Sequence, residues 1–229
     1  MRNRGGPQRS TPRPNGVSKV SANAKRRAGT NAAPAATGPA ELTRDIYELE
    51  IELVDIEPRI WRRIAIPASA TLVALHRAIQ VTMGWHDLHL HEFVAPSGRR
   101  YAATDPNVDP GVRGERVVDA HRVALGEVLR EPGTSLTYEY DFGDGWRHRI
   151  TLAEIRDLAA GEHFPRCLAG ERSCPPEDCG GPWGYEDLLG ALVDPRHERH
   201  EELRDWAGPH FDAEAFDIAA INDLLQRLL

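Results

Sequence analysis

The strongest constraint on the fold lies between Leu136 and Leu152, where two runs of alternating apolar and polar residues flank Gly143-Asp144-Gly145. Alternation with a period of two is typical of a half-buried strand, and an Asp-Gly turn between two such runs predicts an antiparallel hairpin. A two-residue loop would set Tyr140 opposite Arg149 and would mix apolar with charged side chains on each face. A three-residue loop keeps the two faces separate. We therefore predict that loop, with Gly145 in the left-handed conformation.

The three-residue loop predicts a register in which each face of the hairpin is chemically uniform. The inner face pairs apolar side chains with one imidazole: Phe142 with Trp146, Tyr140 with His148, Tyr138 with Ile150, and Leu136 with Leu152. The outer face pairs opposite charges: Asp141 with Arg147, and Glu139 with Arg149. We expect a sheet whose aromatic face turns to the core and whose charged face turns to water.

Strand patterns dominate the first two thirds of the chain, and helical patterns dominate the last third. Residues 46–66 read as two strands and residues 88–94 as a further strand, with a helix from Thr71 to Gly84 between them. Three helical patterns follow: Tyr185–Val193, His197–Trp206, and a helix capped by Asp212. This order predicts one compact α+β domain over residues 43–229, in which strands and hairpins pack with one early helix and with three helices at the C-terminus.

Charge divides the chain into two parts. Residues 1–40 contain eight of the 28 basic residues and none of the 35 acidic residues, so this part lies near +8 and the remainder near −15. Residues 1–42 have no aromatic side chain and are rich in Gly, Pro, Ser and Ala, which predicts a disordered basic tail. Such a tail is expected to make weak, salt-sensitive, non-specific contacts with nucleic acid. Residues 104–116, rich in Pro, Gly and charge, predict a surface loop.

Nothing in the sequence indicates export or membrane insertion. No apolar stretch follows Arg26 and Arg27 as a secretory signal would require, and no run approaches the roughly 18 apolar residues of a membrane span. We therefore expect a soluble, cytoplasmic protein without membrane contact. Three cysteines in that setting do not form a disulfide framework, so they are either reduced thiols or metal ligands.

Four phrases of the sequence occur together in one known family. They are Pro58-Arg59-Ile60-Trp61-Arg62-Arg63, Gly84-Trp85 with His89-Leu90-His91-Glu92-Phe93, Tyr140-Asp141-Phe142-Gly143-Asp144-Gly145-Trp146-Arg147-His148, and Cys174-Pro175-Pro176-Glu177-Asp178-Cys179-Gly180-Gly181. Residues 44–228 thus resemble the plasmid pRi ORF-three-like family, whose members are often labelled resolvase-like, TnpR-type passenger proteins of insertion elements. The resemblance implies a compact α+β domain and a link to plasmids or other mobile elements, and it brings no established activity.

The residues themselves do not support a recombinase. A serine recombinase needs an activated serine among arginines and a DNA-binding helix-turn-helix, and neither is discernible. The strongly acidic body also opposes binding to phosphate.

The three cysteines form one candidate metal site. Cys167, Cys174 and Cys179 are separated by six and four residues, with Glu177, Asp178 or a histidine available as a fourth ligand to zinc. Zinc sites commonly use shorter, paired spacings. The alternative is a loop stiffened by prolines that buries reduced thiols.

Three histidines are further candidates. His89 and His91 lie two residues apart on one face of a strand, a spacing that can place two imidazoles on one metal ion or form a polar patch. His148 is expected on the inner face of the hairpin, where it is either a hydrogen-bonded core histidine or a general base.

Carboxylates complete the candidate site. Asp144 either shapes the turn or, with His148, polarises water or holds a metal ion. Glu177 and Asp178 either favour the dipole of the following helix or present two carboxylates at the edge of a cleft.

These features favour a binding domain without catalysis, whose site lies where the hairpin around Asp144 and His148 meets the loop from Cys174 to Gly181. The first alternative is a metal-dependent hydrolase that uses His89, His91, Asp144 and His148 with Glu177 or Asp178. The second is an acidic module that binds a basic protein partner.

Overall fold

The computed structural model describes residues 45–103 and 117–229. The predicted basic tail and the predicted surface loop at 104–116 lie outside the described residues. The strands are β1 (Asp45–Leu53), β2 (Trp61–Pro67), β3 (His91–Val94), β4 (Arg100–Ala102), β5 (Val118–Asp119), β6 (Ser135–Tyr140), β7 (Trp146–Asp157) and β8 (Arg166–Glu171). The helices are α1 (Leu72–Met83), α2 (Leu125–Val128), α3 (Gly181–Val193), α4 (His200–Ala207) and α5 (Ile218–Leu228).

The strands form one mixed sheet in the order β5-β4-β3-β6-β7-β1-β2-β8. Every neighbouring pair is antiparallel except β4 and β5. Strands precede the C-terminal helices and one helix lies early in the chain, which confirms the predicted α+β class. Among the described helices, none combines the length and the apolar composition needed to cross a lipid bilayer.

Strand β1 shows how the alternating pattern positions the core. Tyr47, Leu49, Ile51 and Leu53 are buried in the core. The glutamates between them face the other side, where Glu48 pairs with Arg63 and Glu52 with Arg149. The sheet therefore has one apolar face and one face covered by ion pairs.

Helix α1 packs on the apolar face and has the predicted bounds. Its N-cap Thr71 accepts a hydrogen bond from the Ala74 N–H, and Gly84 ends it with a φ of 81°. The buried positions include Leu72, Leu75 and Ile79, which lie three or four residues apart.

The hairpin confirms the predicted faces but corrects the predicted register. Tyr140 pairs with Trp146, Tyr138 with His148 and Leu136 with Ile150, so the loop has five residues instead of three. A shift of two residues leaves every strand side chain on its predicted face. The expected pairing of Phe142 with Trp146 was wrong, because Phe142 lies in the loop and is exposed.

Asp141 causes the earlier turn. It takes a left-handed φ of 53°, and its carboxylate accepts a hydrogen bond from the Gly143 N–H. The predicted ion pair of Asp141 with Arg147 was therefore wrong, and Arg147 pairs with Asp55 instead. Gly145 has a φ of 72°, as predicted.

The three C-terminal helices are present with shifted bounds. Helix α5 begins after Asp217, whose carboxylate accepts hydrogen bonds from two N–H groups of the first turn, and not after Asp212. The intervening Phe216 lies under the guanidinium of Arg62, 4.8 Å from ring centre to Cζ. Phe216 lies in an irregular segment before α5.

Candidate functional site

Three distant segments meet on the apolar side of the hairpin loop: residues 85–91, residues 141–145 and residues 174–181. The Trp85 indole N–H donates to the Pro175 carbonyl over 2.9 Å, and the Asp141 N–H donates to the Leu90 carbonyl over 2.9 Å. The Gly180 N–H donates to the Asp144 carboxylate over 3.1 Å. Hydrogen bonds that involve the backbone therefore fix all three segments to one another.

Arg62 holds the base of the third segment. This buried guanidinium donates to the carbonyls of Thr82, Glu171 and Arg172 over 2.7–2.8 Å. It thereby connects β2 with the end of α1 and with the start of the loop that contains Glu177 and Asp178.

His89, Asp141 and Asp178 form what we call the outer cluster. One ligand atom of each lies within 4.8 Å of the others. Nε2 of His89 is 3.2 Å from Asp178 Oδ1 and 3.6 Å from Asp141 Oδ2. This nitrogen is buried, and it forms no hydrogen bond of acceptable geometry within the described part of the chain. An imidazole nitrogen and two carboxylates thus lie close together, and neither carboxylate forms a hydrogen bond of acceptable geometry with that nitrogen.

His76, Asp87 and His91 form what we call the inner cluster, again with ligand atoms within 4.8 Å. The two imidazoles stack with centroids 3.5 Å apart and planes 7° apart. His76 hydrogen-bonds through Nδ1 with the Tyr138 hydroxyl over 2.8 Å and through Nε2 with Asp87 over 2.9 Å. Burial lowers the pKa of His76 and lowers the pKa of His91 to about 4, so both rings are neutral at pH 7.

The three aspartates of the two clusters share an uncommon backbone conformation. Asp87, Asp141 and Asp178 have φ values of 56°, 53° and 60°. Aspartate tolerates the left-handed region better than most residues because its short carboxylate can bond locally. The conformation turns each carboxylate toward a histidine of its cluster.

The structure separates His89 from His91, which the sequence predicted could share one metal ion. Strand β3 begins only at His91, and the turn at Asp87 places His89 beside Asp178. Leu88 and Leu90, on either side of His89, are 68% and 69% exposed. The correction is that each histidine belongs to a different cluster.

The other predicted carboxylates lie close by and have other partners. Asp144 accepts from the Gly180 N–H, as described above. Glu177 accepts from the Tyr140 hydroxyl and from the His86 N–H. Burial, followed by the Glu177 carboxylate, raises the pKa of Tyr140. Both carboxylates thus bond between the loops, and neither belongs to the inner or the outer cluster.

His148 lies apart from these clusters. It is fully buried, with ring centroids 5.3 Å from Trp85 and 5.2 Å from Tyr138. Neither ring nitrogen forms a hydrogen bond of acceptable geometry within the described residues, and burial lowers the pKa of His148 to about 3. His148 is therefore a neutral core residue and not part of a solvent-accessible site.

The structure does not bring the cysteines together. The groups of potential ligands found among residues 45–103 and 117–229 contain no thiol. Cys167 lies on β8 beside Asn222, and Cys174 contacts Arg62 and Met83. Burial raises the pKa of Cys174 to about 11 and that of Cys179 to about 12, which keeps both thiols protonated at neutral pH. A zinc site of three thiolates is thus not formed.

A groove of about 730 Å³ opens beside the outer cluster. Glu177 and Asp178 belong to its lining, together with other polar residues such as Arg62 and Ser173 and with many apolar side chains, among them Met83, Leu88, Pro176, Phe211, Ile221 and Leu224. Asp178 is 67% exposed and belongs to both the groove and the cluster. A molecule in the groove would therefore reach the outer cluster directly.

Sequence reasoning missed His76 and Asp87. His76 lies on the face of α1 that carries Leu72 and Ile79, and a histidine at such a position is a signal for a buried polar contact. Asp87 gives no comparable signal, because its role depends on the left-handed turn after α1.

Comparison with known proteins agrees with the four sequence phrases. Residues 45–220 match the family described as plasmid pRiA4b ORF-3-like protein. The chain is 36% identical to uncharacterised protein y4hQ from Sinorhizobium fredii over 189 residues, which are 82% of this chain and 94% of that protein. It is also similar to the crystal structure of MM3350, a protein of unknown function from Methanosarcina mazei. The identity is 38% and the TM-score 0.69, over 77% of this chain and 97% of the other. The chain therefore belongs to the plasmid pRiA4b ORF-3-like protein family.

Proposed function

We propose that this domain is a binding domain whose ligand is a divalent transition-metal ion, held by the outer cluster. The observation that carries the proposal is that ligand atoms of His89, Asp141 and Asp178 lie within 4.8 Å of one another although the residues come from three distant segments. Imidazole nitrogen and carboxylate oxygen are ligands of Zn²⁺ and of neighbouring metals. Within the described residues, neither Asp141 nor Asp178 forms an ion pair with arginine or lysine. The negative charge of the cluster thus favours a cation.

Only the family match supports a link to mobile elements. The family is described by a plasmid open reading frame. We propose accordingly that the binding domain is carried by plasmids or insertion elements.

Zinc binding by the purified protein tests the proposal. Asp141→Asn and Asp178→Asn each keep a residue that tolerates the left-handed backbone while removing a charged ligand. We expect each to weaken binding of Zn²⁺ at the outer cluster by at least tenfold in isothermal titration calorimetry. Asp55→Asn is the matched control, because Asp55 also has a positive φ, of 66°, but pairs with Arg147 away from the clusters. Equal zinc affinities for the wild type and the Asp141 and Asp178 variants would refute the proposal.

A metal-dependent hydrolase is the second candidate function. The observation that favours it is the exposure of Asp178 in the groove, which leaves room for water and a substrate beside an ion with three protein ligands. The ion would lower the pKa of bound water and so supply hydroxide. The ligand set differs from the one expected from the sequence, since Asp141 takes the place of His91, Asp144 and His148.

Ester and phosphoester hydrolysis by the zinc-loaded protein distinguishes the two functions. Turnover that Asp178→Asn abolishes and Asp55→Asn leaves intact would support the hydrolase. Zinc binding without turnover on either substrate class would support the binding domain.

A further inference from the structure

We infer that the inner cluster is also a metal site, separate from the one proposed at the outer cluster. The inference uses residues distinct from those of the outer cluster: His76 from α1, Asp87 from the following turn and His91 from β3. Two imidazoles and one carboxylate form a ligand set used by zinc and by non-haem iron proteins.

An unsatisfied nitrogen points to a missing ligand. Nε2 of His91 is buried and has no hydrogen-bond partner within the described residues. Leaving a buried polar atom unpaired is unfavourable, and such atoms in native proteins call for an ion, a water molecule or a functional reason. An ion bound at the edges of the two rings, by their Nε2 atoms and by the Asp87 carboxylate, would satisfy it.

Neighbouring side chains position the ligands of the inner cluster. The Tyr138 hydroxyl holds Nδ1 of His76, which leaves Nε2 facing the Asp87 carboxylate. The Gln80 amide donates to that hydroxyl over 3.1 Å, and its carbonyl oxygen accepts from the Asp87 N–H over 2.9 Å. Partners of this kind set the orientation of ligating histidines in metal sites.

The segment Asp87-Leu88-His89-Leu90-His91 supplies both clusters. Its odd-numbered residues enter the clusters, with Asp87 and His91 in the inner one and His89 in the outer one. Its leucines are more than two-thirds exposed. A segment placed by hydrophobic burial alone would turn its leucines inward. The segment instead exposes both leucines, while His89 and His91 are only partly exposed and reach into the clusters.

Access to the inner cluster is through Asp87. Its side chain is 54% exposed, whereas that of His76 is almost fully buried. An ion can therefore enter beside the carboxylate, replace the contact between Asp87 and Nε2 of His76, and reach His91 without opening the core.

Zinc stoichiometry tests the inference. Equilibrium dialysis of the full chain against ZnCl2, followed by elemental analysis, is expected to give two ions per wild-type chain. His91→Phe keeps a ring stacked on His76, and Asp87→Asn changes only an exposed carboxylate, so the second variant remains informative if the first does not fold. Each is expected to bind one ion. His197→Gln is the control, because His197 also contacts an aspartate, Asp187, but lies outside both clusters. It should bind two.

The outcomes separate the two sites. One ion per wild-type chain that is lost only in Asp141→Asn or Asp178→Asn would overturn this inference and leave the proposed function standing. One ion that is lost only in His91→Phe or Asp87→Asn would support the inference and overturn the proposed function. No bound zinc would overturn both.

Discussion

Asp141 combines a structural and a ligand role in a single residue. Its backbone turns the hairpin, one carboxylate oxygen accepts from the Gly143 N–H, and the other lies 3.6 Å from His89. The turn needs a residue that tolerates positive φ and offers an oxygen, whereas the cluster needs a charge. Substitutions can separate these two requirements.

Asp141→Asn is expected to retain the free energy of unfolding within about 0.5 kcal/mol, because asparagine also tolerates positive φ and offers an oxygen. Asp141→Ala is expected to lose about 1–3 kcal/mol, because alanine does neither. Urea unfolding measures both. Equal stabilities for the two variants would show that the turn does not depend on Asp141.

The lowered pKa of His148 predicts how the free energy of unfolding depends on pH. Its pKa in the folded chain is about 3, below the value of about 6.5 in an unfolded chain. The unfolded state therefore takes up the proton first, and the stability contributed by the neutral ring is complete above pH 6.5 and is lost as the pH falls toward 3. At pH 5 the loss is about 2 kcal/mol.

His148→Leu removes this titration and fills an apolar site. The free energy of unfolding should decrease between pH 7 and pH 5 in both proteins, but by about 2 kcal/mol less in the variant than in the wild type. Urea unfolding at both pH values measures this. If the variant and the wild type lose the same free energy of unfolding between the two pH values, His148 is not buried in its neutral form.

The hairpin loop and the start of α3 are in direct backbone contact. Gly181 has a φ of 70°, and a Cβ on it would lie 2.3 Å from the Asp144 carbonyl oxygen. This contact sets how the hairpin loop, with Asp141, lies against the loop that contains Asp178.

Gly181→Ala is expected to destabilise the fold by about 2–3 kcal/mol and to weaken zinc binding at the outer cluster. Gly190→Ala is the matched control on the same helix, because a Cβ at Gly190 meets nothing within 4 Å. That change should be neutral or stabilising by up to about 1 kcal/mol. Thermal unfolding and zinc titration check both, and equal effects of the two substitutions would contradict the contact.

The elements that sequence reasoning predicted well are those set by local pattern. Helix α1 has its expected ends because Thr71 and Gly84 cap it. The faces of β6 and β7 follow from alternation alone. The register between them was wrong by two residues, since it depends on the left-handed turn at Asp141 and on contacts with a loop 36 residues away, made through Asp144 and Gly180.

The candidate site could also be predicted only as far as local sequence pattern determines it. The phrases that carry His89 and Asp178 stood out in the sequence, and the structure brings both into one cluster. Their partners were not predictable, because the turn at Asp87 and the start of β3 at His91 decide which cluster each histidine enters.

The uneven distribution of charge along the chain predicts weak binding of nucleic acid by its N-terminal residues. Residues 1–40 carry eight basic and no acidic residues, while the rest of the chain is strongly acidic. We expect the full chain to bind double-stranded DNA weakly at 20 mM salt and to release it near 200 mM. A chain that begins at Glu41 should not bind. Fluorescence anisotropy checks this, and equal binding by the two chains would exclude the tail as the contact.

The central claim is that a metal ion lies among His89, Asp141 and Asp178. A crystal structure of the zinc-soaked protein, with diffraction recorded at the zinc absorption edge, tests it most directly. We predict an anomalous peak about 2.0–2.2 Å from Nε2 of His89 and from one oxygen of each aspartate. Well-ordered side chains at all three positions with no such peak, or zinc bound by the cysteines instead, would contradict the claim.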